Sequence, residues 1–164
     1  MTDQNRSSVA STTGVGQNGS DVSVQNRRKA IAAMLDARRA LAYGDVKTAS
    51  AKSAEARSLY NGWTARSDSP DRLDRTIATY EKLRSERSIR GDSDAWKKLY
   101  AQSMIEQAEA FISWKEFAEA ERLMSYATPY QSLFTEYDGN HPAKVLQKVA
   151  EAKKAAAGAT LAAV

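Results

Sequence analysis

The sequence predicts an all-α protein, and three observations carry that reading. Apolar residues recur at i, i+3, i+4 spacing through six successive segments. No segment alternates branched and aromatic residues with period two over a strand's length. Alanine, the strongest helix former, is the commonest residue. At 164 residues the chain has the length of one domain, enough to bury a real core.

Residues 1–24 are rich in Ser, Thr, Gly, Asn and Gln and offer almost nothing to bury. They are expected to form a disordered polar tail. The tail holds Gly14-Val15-Gly16-Gln17-Asn18-Gly19, a formal dinucleotide fingerprint. That motif needs a strand before it, and polar, Ser-rich sequence stands there instead, so no cofactor is expected. From residue 25 onward the text is helical. Ile31, Met34, Leu35, Arg38, Leu41 and Ala42 share one stripe, and Gly44 stops the helix. Asp45 suits the N-cap of a second helix carrying Val46, Ala49, Ala56 and Leu59, which ends at Asn61-Gly62. Ser69-Pro70 restarts the chain, with a hydroxyl at N-cap and proline at N1. The third helix then shows Leu73, Ile77, Tyr80 and Leu83 before Gly91 breaks it.

Asp92-Ser93 can cap a fourth helix, with Trp96, Leu99, Tyr100, Ser103, Gln107, Ala110 and Phe111 on its stripe. A turn near Ser113-Trp114 leads into a fifth, with Phe117, Ala120, Met124 and Ala127, ended by Thr128-Pro129. His141-Pro142 opens a sixth, with Val145, Leu146 and Val149. The helical domain is expected to span 25–157, and residues 158–164 to fray around Gly158.

The two halves are related. Residues 34–41 sit over 104–111 at an offset of 70. Beyond the turn the offset is 71, pairing Val46 with Phe117, Ala49 with Ala120, Ala56 with Ala127 and Trp63 with Phe134. One further step pairs Pro70 with Pro142 and Leu73 with Val145. Two three-helix units, 26–91 and 92–157, are therefore expected to pack as a short helical-repeat solenoid or bundle. Small residues seven apart, as at Ala49 and Ala56, let hairpin helices approach closely.

The stretch Ala40-Leu41-Ala42-Tyr43-Gly44-Asp45-Val46-Lys47-Thr48-Ala49 resembles the turn of a tetratricopeptide-type helical hairpin. Together with Trp63, Asp68-Ser69-Pro70 and Leu73 it is similar to Ala-rich helical repeats of planctomycete-type bacterial proteins, including regions attached to secretin-like export components. The resemblance covers residues 26–80 well and 96–150 loosely. Its unit of about 70 residues is longer than the tetratricopeptide unit of about 34. It implies a helical scaffold or interaction module and no catalytic residues.

Composition narrows the chemistry. With no cysteine the chain has no disulfide, thiolate metal site or cysteine nucleophile. The lone imidazole, His141, precedes Pro142 at a helix start and reads as a cap rather than a base. Glu106, Glu109, Glu116, Glu119 and Glu121 lack the histidine three residues on that helical di-metal sites use, so no metal is expected. No window is apolar enough to span a membrane, and the start lacks a signal peptide's basic and apolar regions. Cytoplasmic location is expected, with a mature exported form or a fragment of a longer protein as alternatives.

The net charge of +4 conceals an asymmetry. Residues 26–91 carry 15 basic and 8 acidic side chains, whereas 92–127 carry 4 and 7. The short basic clusters Arg27-Arg28-Lys29 and Arg38-Arg39 lie in no nucleic-acid motif, so nucleic acid is not the expected partner. The leading expectation is a non-enzymatic scaffold or adaptor that engages a protein partner or its own copies, head to tail as a ring or filament. The alternative is a peptide- or ligand-binding module with a concave groove lined by Arg38, Arg39 and Gln107. Loop aromatics, among them Trp63, Tyr130, Phe134 and Tyr137, are expected either to wedge between helices or to form a partner-binding patch.

Overall fold

Amphipathic stretches punctuated by caps and breakers fold into six α-helices. The computed structural model describes residues 17–64 and 67–162, with side chains for 21–64 and 67–159. The helices are α1 (Gln17–Ala42), α2 (Val46–Leu59), α3 (Pro70–Arg90), α4 (Asp94–Ser113), α5 (Phe117–Ala127) and α6 (Pro142–Ala162). A short 3-10 helix, Thr128–Leu133, with Pro129 in its first turn, occupies the start of what was expected to be a plain loop. No strand occurs among the described residues. The starts are capped as the side-chain chemistry requires: Asp45 accepts from the Thr48 N–H, Ser69 from Arg72, and Ser93 from Trp96.

Both ends depart from expectation. Residues 17–24, expected to be disordered, form the first turns of α1. A helix nucleated by the buried stripe further on propagates at little cost into polar sequence. Residues 1–16, with the first part of the glycine motif, lie outside the described residues. At the other end α6 continues through Gly158 to Ala162, where fraying was expected. Its alanine run favours the helix enough to carry one glycine.

α1 and α2 form a hairpin that α3 packs against, and α4, α5 and α6 repeat that order. The two hairpin turns share their closing backbone bonds. Gly44 adopts φ 81°, Lys115 φ 61°. The Gly44 N–H donates to Leu41 O and the Asp45 N–H to Ala40 O, both at 2.9 Å. Their counterparts run from Lys115 to Ile112 O at 3.0 Å and from Glu116 to Phe111 O at 2.9 Å. Every residue in this set is displaced by 71, not by the 70 expected for the first helix. At 71 the fully buried alanines Ala30 and Ala37 meet Ala101 and Ala108, which are equally buried.

Burial falls into two apolar clusters. The first gathers Ala33, Met34, Ala37, Leu41, Ala49, Ala56, Leu73 and Ile77, with Trp63 packed on it. The second is larger and gathers residues of α4, α5 and α6, including Ile105, Phe111, Leu123, Met124, Phe134 and Val145. The two interlock. Leu35 and Ala42 of α1 pack on the second cluster, while Trp114 from the second turn packs on the first. Leu146, expected in the core, is more than a third exposed, and Val145 and Val149 supply that face instead.

A buried polar network fixes the joint. Arg38 is fully buried and meets Asp68 in a fork, Nη2 to Oδ1 at 2.6 Å and Nε to Oδ2 at 2.9 Å. The remaining Asp68 valences accept from Trp114 Nε1 at 2.9 Å and from the Ser69 N–H at 3.0 Å. Arg38 Nη1 donates to Thr76 Oγ1, which lies 2.9 Å from Glu106 on α4. The network ties α1, the loop before α3, α3 itself, α4 and the second turn into one body. Arg38 is therefore a structural residue and lines no groove. Desolving a guanidinium completely demands a bidentate partner, and Asp68 supplies it.

Candidate functional site

A cleft opens where the first turn, the C-terminal half of α3, the N-terminal half of α4 and α5 converge. Its volume is about 460 Å3, within the range of ligand pockets. Gly44 shapes one wall. Its positive φ turns the chain, and its missing Cβ leaves room for Tyr80, whose hydroxyl would lie 2.7 Å from a Cβ built there. The back wall is aromatic: Trp96 and Tyr100, four residues apart on α4, stack at 5.4 Å with ring planes 7° apart. The Trp96 indole N–H donates to Leu83 O at 3.1 Å, which fixes the ring. Burial pushes the Tyr100 phenol above its ordinary pKa, helped by Tyr130 and Tyr126 and opposed by the charge of Arg87.

The rim carries Tyr43 and Tyr126, 67% and 46% exposed. The Arg122 guanidinium sits between them, 4.3 Å from the Tyr43 ring centroid and 5.9 Å from that of Tyr126. Arg122 is already engaged, by Glu119 at 2.8 Å and by Ala42 O at 3.3 Å. Arg84 and Arg87, three apart on α3, also line the cleft, and neither is paired with a carboxylate among the described residues. No Asp or Glu among the described residues lines it.

Gln107 lies on the inner wall, 1% exposed. Neither its amide nitrogen nor its amide oxygen has a hydrogen-bond partner among the described residues. Beyond Arg87, Trp96 and Tyr100 the cleft adjoins a second hollow of about 330 Å3 that also includes Lys97, Asp92 and Tyr130. The two share those three residues in their walls.

The residues singled out from sequence do not converge. Gln107 lines the cleft and Tyr130 the adjoining hollow. Arg38 is sealed in the joint, so the groove of Arg38, Arg39 and Gln107 does not form. Arg39 is half-exposed and bonded to Glu116 at 2.6 Å. Trp63 and Phe134 serve the two cores, Trp63 with its indole nitrogen buried and unpaired. Tyr137 is 87% exposed and stands apart. The aromatics thus wedge between helices at Trp63 and Phe134 and leave no continuous loop patch.

Residues that sequence reasoning placed at no site build most of the cleft: Tyr43, Tyr80, Arg84, Arg87, Trp96, Tyr100 and Arg122. The available signal was local, Tyr80, Arg84 and Arg87 at i, i+4, i+7 on one helix face.

His141 caps α6, its Nδ1 accepting from the Ala143 N–H at 3.1 Å. Asp138, its neighbour in sequence, is committed elsewhere. The Thr135 N–H holds its carboxyl below the usual range, and Lys98 adds to the effect. The five glutamates weighed as metal ligands each bind a different cation: Glu106 with Arg72, Glu109 with Lys148, Glu116 with Arg39, Glu119 with Arg122 and Glu121 with Lys153. No cluster of acidic and histidine side chains able to hold a metal occurs among the described residues. No described helix is long and apolar enough to cross a membrane. No family model matches this chain, and neither a curated protein nor a solved structure matches it.

Proposed function

We propose that the protein is a non-enzymatic adaptor of two related three-helix units, taking a segment of a partner protein in the cleft between them. The observation that carries this reading is the cleft itself, with a rigid aromatic wall, two exposed rim tyrosines and an orphaned amide on its inner side. Rigid aromatics around a pocket are the usual anchors of partner recognition. The matched hairpin turns, and the equal burial of Ala49 with Ala120, Ala56 with Ala127 and Leu73 with Val145, support the two-unit reading. The tetratricopeptide-like turn agrees with it.

A foreign partner is favoured over a second copy. Head-to-tail assembly was expected from the contrast between a basic and an acidic half. The five glutamates of α4, its turn and α5 spend their charge on cations of their own chain, leaving little for a neighbour. The non-enzymatic reading draws on His141, whose Nδ1 is used at a helix start.

Selection of a displayed random-peptide library on the intact protein tests the proposal. Counter-selection uses the rim variant Tyr43→Ser/Tyr126→Ser, checked for an unchanged helical circular dichroism spectrum. Peptides that bind the protein and lose affinity for the variant support the reading. A library yielding no such peptide refutes it.

A further inference from the structure

Resting on that reading, we infer that the segment bound in the cleft is acidic, with a carboxylate held by Arg84 and Arg87 and a backbone amide held by Gln107. Three observations converge. The first is charge. Arg84 and Arg87 face the cleft without a carboxylate partner, and the cleft's lining contains no acid. Residues three apart share a helix face, and each guanidinium offers the paired N–H donors that match a carboxylate. Arg122 is excluded from that role because Glu119 already holds it.

The second is the amide. Gln107 presents one acceptor and one pair of donor hydrogens, all unmet in a buried position. A buried amide without partners is costly, and a peptide unit, with its own N–H and C=O, answers both halves at once. Ser103 Oγ, one turn back on α4, is likewise without a partner among the described residues.

The third is shape. The cleft and its neighbouring hollow share Arg87, Trp96 and Tyr100 in their walls. A compact anion fills one such hollow, whereas an extended peptide can reach both. The far hollow adds Lys97 and Asp92, which offset each other, so the unpaired positive charge is greatest at Arg84 and Arg87.

The test titrates the full chain with two fluorescein-labelled pools of short peptides. One is built from Glu, Asp, Phe, Leu, Tyr and Gly; the other has Lys and Arg in place of Glu and Asp. Unlabelled ADP and inorganic phosphate serve as competitors. The acidic pool should bind about tenfold or more tighter than the basic one, with affinity falling as salt rises. Arg84→Glu/Arg87→Glu should abolish that preference. Gln107→Leu should weaken the acidic pool about tenfold while the protein stays folded.

Equal binding of both pools, unaffected by the arginine reversals but lost in the rim variant, overturns the acidic assignment and leaves the adaptor reading standing. Arginine-dependent binding of ADP or phosphate without binding of either pool assigns the cleft to a non-peptide anion and overturns the inference. Peptide binding that neither the rim nor the arginine variant alters lies outside the cleft and overturns both.

Discussion

The two hairpin tips have the same backbone and opposite fates. Tyr43 and Trp114 occupy equivalent places, each one residue before the left-handed residue of its turn. Trp114 turns inward, packs on the first cluster and donates to Asp68. Tyr43 stays two-thirds exposed, leans on Arg122 and forms the rim of the cleft. The buried polar groups split the same way. Arg38, beside the inward tip, has its fork filled by Asp68. Gln107, on the cleft wall, has neither amide atom filled. At the inward tip the buried polar groups serve cohesion, and on the cleft wall the Gln107 amide is left open. Two turns of like backbone thus come to differ through their neighbours.

Asp68→Ala breaks this contrast most severely. It strands a fully buried guanidinium and should cost about 3–5 kcal/mol in denaturant unfolding. Removing both charges, as Arg38→Met/Asp68→Leu, should recover much of that loss. A single Asp68→Ala as stable as the parent would show that the joint does not depend on the fork.

Gln107→Leu should move stability the other way. Deleting an unpartnered buried amide is expected to add about 1–3 kcal/mol, read as a higher midpoint in the same denaturation experiment. Loss of stability would place Gln107 among the cohesive polar groups, and the contrast would fail.

The turns themselves give a smaller effect of either sign. Gly44→Ala adds a Cβ at positive φ and against the Tyr80 hydroxyl, and should cost about 1–2 kcal/mol. Lys115→Gly relieves a side chain held at φ 61° and should gain about 1 kcal/mol. Equal responses at the two positions would erase the difference between them.

Acid should bring the smallest change to the turns, and of the two only the first has a capping carboxylate to protonate. The Thr48 hydroxyl and N–H hold the Asp45 carboxyl below its ordinary 3.8. A lowered folded pKa stabilises the native state in full above the unfolded pKa, and that contribution is lost as pH falls through the folded value. Protection of the Thr48 amide, the slowing of its exchange relative to the unfolded-chain rate at the same pH, should therefore fall on acidification below about pH 4. Among the described residues α5 has no side-chain cap to lose. Protection at Thr48 that stays constant through this range would remove Asp45 from the comparison.

Local chemistry made most of the fold legible. Caps at Asp45, Ser69 and Ser93, proline at Pro70 and Pro142, and the apolar stripes name all six helices, because each signal acts within one turn. The start of α1 was not legible, since burial decides where a helix nucleates but not how far it propagates into polar residues. The first helix's offset was misread by one because Met34 and Leu41 meet apolar partners at 70 as well as at 71. Only the hydrogen bonds around Gly44 and Lys115 settle the register.

The site was legible in part. Gln107 stood out as a polar residue on an apolar stripe. Arg38 stood on one too, and its place among Met34, Leu35 and Leu41 already spoke for burial. Its partner Asp68 lies 30 residues away in sequence, and only tertiary packing brings them together. The cleft draws on four separate elements, which no local pattern reveals.

Trp114 carries one last consequence. Its indole is hydrogen-bonded across the joint to a carboxylate that a guanidinium also grips. Any separation of the halves must cut that bond and wet the ring. With Trp63 and Trp96 replaced by Phe, the surviving emission would shift in wavelength as the halves part, giving the molecule a built-in optical gauge of its own opening.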